Sequence, residues 1–189
     1  MIALRLALAL AAALIAGAAR AEECPAPPDH GARIDALLAE AREAPTEGAA
    51  REIAGRMWEL WAEAPNEQAQ AVLDRGMTRR SGYDLAGALA EFDRLVAYCP
   101  DYAEGYNQRA FVNYLRQDFA AALVDLDRTI ALSPNHVAAL SGRALSLLGL
   151  GRTDEARAAL AQALALNPWL PERGLAAPGG PLAPTGQDI

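Results

Sequence analysis

The chain contains no lysine; all 17 of its basic residues are arginine. That absence excludes a phosphate-loop lysine, a Schiff base and a lysine general base together. Histidine is nearly as scarce, with only His30 and His136, and the two cysteines, Cys24 and Cys99, form no Cys-x-x-Cys pair. A zinc site needs clustered cysteine and histidine ligands, and a thiol redox centre needs a paired or activated cysteine. Neither fits these four residues. His30 falls in a proline-rich lead, and His136 lies beside the turn after Pro134, where an exposed polar residue is ordinary. Ser81, Ser133, Ser141 and Ser146 have no histidine and acid at a recognisable nucleophile spacing. Carboxylate pairs such as Asp125 and Asp127 project from one helix in different directions and read as a solvated face. We therefore expect a chain that is no enzyme and holds no metal or cofactor.

Positive charge is also in short supply. Against the 17 arginines stand 24 acidic residues, a net charge of −7. An acidic surface disfavours nucleic acid and anionic lipid as partners, because both are polyanions.

The first 21 residues have the layout of an export signal. Arg5 is followed by an apolar run from Leu6 to Ala19, and Ala19-Arg20-Ala21 supplies the small-x-small pattern of a signal-peptidase site. The run is too short and alanine-rich for a comfortable membrane span, which needs about 20 apolar residues. We expect cleavage after Ala21, a periplasmic location and no membrane insertion of the mature chain, with an uncleaved N-terminal anchor as the alternative. Export would put Cys24 and Cys99 in an oxidising compartment. A disulfide between them would tie the lead (22–30) to the folded body; two free thiols or an intermolecular bond are the alternatives.

What the chain does have is a period. Pro100, Pro134 and Pro168 lie 34 residues apart. Twelve residues upstream of each stands an alanine (Ala88, Ala122, Ala156), and eight upstream a large apolar residue (Phe92, Leu126, Leu160). Twenty-four upstream stands Gly76, Ala110 or Ala144. A 34-residue period with small residues at fixed points marks stacked helix–turn–helix units, in which small side chains let two helices cross closely. The repeats run 69–102, 103–136 and 137–170. Asp84, Asp118 and Thr153 stand where the second helix of each unit begins, ready to accept from its first free N–H groups. Ser133-Pro134 reads as an N-cap followed by proline at the first helical position. Arg75, Arg109 and Arg143 recur at the same period. They could form a row of guanidinium groups awaiting an acidic ligand. Pairing with Glu91, Asp93, Asp125 and Asp127 on neighbouring helices is the favoured reading, with Arg143 left to look back toward Asp127 or remain free.

These residues resemble the tetratricopeptide repeat (TPR) family, over the three repeats. The resemblance implies an all-α, right-handed superhelical array of antiparallel helix pairs, an α-solenoid. Its concave groove, lined by the first helix of each pair, would bind a peptide or helix of a partner protein. Carried over position by position, the groove is Leu73, Met77 and Arg80, then Asn107, Phe111 and Tyr114, then Ser141, Leu145 and Leu148. Asn107 would bond a ligand's main chain, using both the donor and the acceptor of its amide. One TPR subtype grips acidic C-terminal tails with lysine and asparagine; Leu73 and Met77 stand at those places here, so that reading fails.

Outside the repeats, 31–66 reads as a degenerate helical hairpin. Its stripe of Met57, Trp58, Leu60 and Trp61 needs a neighbour, expected to be the helix starting near Glu67, so that the hairpin forms an N-terminal cap. Beyond Pro168-Trp169-Leu170-Pro171, which begins a short packing turn, the proline- and glycine-rich stretch from 177 onward lacks any period and reads as a disordered tail within 171–189. No long final helix seals the array, which leaves Trp169 and Leu175, or a partner, to cover the last unit. A rival role to partner binding is therefore structural: self-association, or assembly into an envelope complex, through the uncapped C-terminal end.

Overall fold

In a computed structural model, which describes residues 23–184, the chain forms eight α-helices and one 3-10 turn, and no strand among the described residues. The helices are α1 (Gly31–Arg42), α2 (Glu47–Trp61), α3 (Glu67–Ser81), α4 (Leu85–Tyr98), α5 (Ala103–Leu115), α6 (Phe119–Leu132), α7 (Val137–Gly149) and α8 (Thr153–Leu166), with the 3-10 turn over Pro171–Ala176. The proposed signal segment lies outside the described residues. Helices α4, α6 and α8 begin at 85, 119 and 153, keeping the 34-residue register.

Three antiparallel pairs, α3–α4, α5–α6 and α7–α8, stack in order. Their contact points are the small residues of the period: Ala88, Ala110, Ala122, Ala144 and Ala156 are all fully buried. Gly76 shows why. A Cβ there would lie inside the van der Waals envelope of the Phe92 ring, which is itself fully buried. Burying an aromatic of that size contributes about 1.5–3 kcal/mol, so the glycine exists to seat the ring. Gly149 does the same for Phe119.

Asp84 and Asp118 cap α4 and α6, accepting from the N–H groups of Gly87 and Ala121. Thr153 does not act this way. Helix α8 begins in register at Thr153 itself, and the place of Asp84 and Asp118 is taken by Arg152, which makes no side-chain cap bond. Nor does Ser133 cap α7: it ends α6, and the cap of α7 is His136, whose Nδ1 accepts from Ala139 N–H. Proline at 134 therefore sits in the linker rather than at the first helical position.

The turn within each pair repeats a backbone feature as well. Tyr83 and Gln117 hold φ of 63° and 62°, and Gly151, at the same place in the third unit, holds 72°. Only the third unit fills this left-handed position with the residue that adopts it without steric cost.

The arginine ladder is structural. Arg109 donates from Nε and Nη2 to both oxygens of buried Asp125, at 2.8 and 2.7 Å, and from Nη1 to Asp93 at 2.9 Å. Arg75 meets Glu91 and Arg143 meets Asp127. Cys24 and Cys99 form a disulfide, Cα atoms 5.2 Å apart, which ties the lead to the end of α4.

Two expectations are corrected. The α1–α2 hairpin does not cap the array by stacking on α3. Its core of Ile34, Leu38, Ile53, Met57 and Leu60 is completed by Val137, Leu166, Trp169 and Leu170, from the far end of the chain. The apolar stripe needed a neighbour, and the end of α8 offers more apolar area than polar α3. Likewise, residues 177–184 are not a disordered tail. Leu182 is fully buried with Leu147 and Leu160, its N–H donates to Leu175 O, and Arg157 donates to Ala183 O. Leu175, Ala176 and Leu182 thus seal the last pair, and the C-terminal end is not open. No helix among the described residues is long and apolar enough to cross a membrane.

Candidate functional site

The first helices of the three pairs lie side by side, α3 against α5 and α5 against α7, and the hairpin packs its α1 on α8. It is held there by contacts at several depths. Trp61 stacks on His136, ring centroids 4.1 Å apart. Asn135 donates to Asp35, and Arg173 of the 3-10 turn pairs with Glu47 at 2.8 Å. Tyr102 donates its hydroxyl to Trp61 O.

His136 is fully buried, not exposed as its place beside a turn implied. Its Nδ1 accepts from a backbone N–H, so Nε2 carries the proton and donates to Glu104, 2.9 Å away. Glu104, itself buried, also accepts from Asn107 and Gln108, and Gln108 Oε1 accepts from Arg80. A buried carboxylate is costly unless its oxygens are hydrogen-bonded, and here they are. The network locks α3, α5 and α7 together beneath the hairpin.

What remains of the concave face is a cavity of about 480 Å³. Arg80, Asn107, Phe111, Tyr114, Ser141 and Leu145 line it, so six of the nine expected groove residues come together. The other three do not. Leu73 is fully buried in the core between α3 and α4, Met77 packs on the same core, and Leu148 turns to the cluster containing Leu182. Each points into its own pair, where apolar burial outweighs exposure to a groove. Asn107 is also less free than expected, since its amide NH2 is donated to Glu104. Its role is to hold the network more than to grip a ligand's main chain.

Further walls come from Trp58 of α2 on one side, and on another from Leu170, the last residue of the third repeat, with Pro171 and Glu172 beyond it. Periodicity carries no signal for these; the only hint was the unpartnered Trp58 stripe. Phe111, 45% exposed, lies under the Arg80 guanidinium at 4.9 Å, a cation–π contact. Burial lowers the Arg80 pKa from its ordinary value, and the Glu104 charge opposes that shift. Two hydroxyls on the α7 wall, Ser141 and Ser146, are buried with no hydrogen-bond partner.

A family model described as tetratricopeptide repeat matches residues 114–169. That match runs from the end of α5 to just past α8, the stretch in which the 34-residue register is read most fully. No curated protein matches the chain. Among solved structures, this TPR array resembles the TPR domain of Arabidopsis OM64, with a TM-score of 0.57 and 22% identity over 58% of this chain and 91% of that one. It also resembles the first TPR of Spaghetti (RPAP3) bound to the HSP90 peptide SRMEEVD (TM-score 0.56, 21% identity, 58% and 87% covered). A third is the second TPR domain of human RPAP3 in complex with the HSP70 peptide SGPTIEEVD (0.54, 24%, 56% and 88%). The likeness establishes the TPR fold; function has to be argued from the site.

Proposed function

We propose that this TPR chain is a protein-binding module of the periplasm, exported with cleavage after Ala21, which takes a short segment of a partner protein at the open stretch of its concave face. The observation that carries the reading is the pairing of Phe111 with Trp58, two large aromatics 45% and 36% exposed across one apolar cavity. Exposed aromatics grouped in a concavity are the residues from which binding energy is drawn at interfaces. The two RPAP3 domains, whose structures contain bound peptides, support a peptide-binding role for the same fold. The hairpin restricts what fits. A helix is about 10–12 Å across with its side chains, and Trp58 of the hairpin walls the cavity on one side. The partner segment is therefore short and extended. The role is binding, without cofactor or catalysis.

Assembly through an open C-terminal end is the weaker reading, because Leu175 and Leu182 already cover that end. Photo-crosslinking in the native compartment tests the choice, from position 114 in the cavity and position 124 on the exposed face of α6. A discrete crosslinked protein from 114 alone supports the groove. Crosslinks only to a second copy, with a mass that rises with concentration in light scattering, would favour assembly.

A further inference from the structure

The cavity holds more chemistry than an apolar partner segment needs. One charge of each sign lines it, Arg80 from α3 and Glu172 from the 3-10 turn. These elements belong to opposite ends of the array, with α5 and α7 between them. Arg80 hydrogen-bonds to the neutral Gln108 side chain rather than to a carboxylate, which leaves most of its N–H groups for a ligand. Between the charges, Phe111, Leu145 and Leu170 form apolar walls. Ser141 and Ser146, buried to 5% and 0% exposure, carry hydroxyls without partners. A buried hydroxyl left unpaired costs about 1–3 kcal/mol, a cost that a bound polar group would remove.

We propose that this cavity binds a free, zwitterionic short peptide with apolar side chains, its carboxylate on Arg80, its ammonium on Glu172 and its amide groups on Ser141 and Ser146. This goes beyond the partner reading, since an internal segment of a protein has no charged termini to offer. A ligand with one charge would leave the other wall unanswered; a zwitterion satisfies both. Size agrees. Packed helices stand about 8–10 Å apart, so the axes of α3 and α7 are separated by roughly twice that. Arg80 reaches in from α3 and Glu172 from the 3-10 turn on the far side of α7, so the space between the two charges suits two or three extended residues at about 3.5 Å each. The volume of about 480 Å³ falls within the roughly 300–1,000 Å³ of small-ligand sites.

Calorimetric titration of the full chain with trileucine, its N-acetyl form, its C-terminal amide and the doubly blocked form tests this. Trileucine binds, and each single block weakens binding about tenfold or more, the usual effect of deleting a charge-assisted hydrogen bond. Arg80→Gln removes the difference between acid and amide while keeping that between amine and acetyl; Glu172→Gln does the reverse. Because the peptide series on the unaltered protein is decisive by itself, poor folding of a variant does not spoil the test. Equal binding of the doubly blocked peptide would overturn the proposal and leave the partner reading standing. Absence of binding by all four peptides would overturn it as well, while crosslinking from position 114 would still judge the partner reading.

Discussion

Trp61 lies flat against His136, the ring planes inclined by only 18°, although the two residues are 75 positions apart. This stack joins the hairpin to the repeats, and Trp58 and Trp169 flank the same junction. All three tryptophans of the chain thus report on one interface. Trp61→Ala removes a stacking term of about 0.5–1.5 kcal/mol in addition to its apolar burial. We expect faster amide exchange in α1 and α2 and unchanged exchange in α4 and α6. Uniform acceleration along the chain would mean that the hairpin does not open separately.

Charge at the far edge of the same junction gives it a pH dependence. Arg173, by hydrogen bond and by charge, holds the Glu47 carboxyl below its ordinary pKa. A depressed carboxylate pKa contributes stability that is present above the unfolded value and is lost as pH falls through the folded one. Both partners are about half exposed, so the contribution is small. Glu47→Gln is expected to leave the thermal midpoint near the parent's at neutral pH and to flatten the slight fall of that midpoint in acid, read by thermal unfolding across pH.

The disulfide acts on the unfolded chain. It closes a loop between residues 75 apart, and the chain-entropy relation gives about 4–5 kcal/mol for loops of this length. Cys24→Ala, at a half-buried position, lowers urea-unfolding stability by about 2–5 kcal/mol, and a reducing agent has the same effect on the parent protein and none on the variant.

Arg109 and Arg152 are both bound by carboxylates, yet their partners differ in consequence. Asp125 is buried, and its hydrogen bonds raise the Arg109 pKa above the ordinary value. Asp125→Ala takes two of three carboxylate hydrogen bonds from half-buried Arg109, leaving only exposed Asp93, and costs about 2–3 kcal/mol in chemical denaturation. Glu155→Ala, which deletes the exposed Arg152 pair, leaves the unfolding midpoint where it was.

The left-handed turn positions separate backbone cost from packing. A Cβ on Gly151 meets nothing within 4 Å, so Gly151→Ala costs only the conformational penalty of about 1–2 kcal/mol. Gln117→Gly relieves that penalty in the second unit, offset by the entropy of a glycine in the unfolded chain, and stabilises by up to about 1 kcal/mol. Thermal unfolding of the two variants moves in opposite directions.

The repeats were legible because their physics is local and periodic: Gly76 facing Phe92 and Arg109 facing Asp125 are both 16 positions apart, one helix pair, and spacing alone implies the contact. The site was legible only where the repeats build it. Trp58 and Glu172 stand outside the period, and an amphipathic stripe says that a neighbour exists without saying which. His136 looked exposed because the residues that bury it, Trp61 and Glu104, share no register with it. Leu182 sits among prolines and glycines, and composition there outweighed the single leucine that anchors the segment.

The tie between Glu47 and Arg173, 126 residues apart in sequence, has an evolutionary corollary. Solenoids ordinarily grow or shrink by whole units, because each unit touches only its neighbours. Here duplication of one unit would carry Arg173 and Trp169 out of reach of the hairpin, and deletion would drive them into it. The clasp acts as a ruler, and three is the number of repeats it permits.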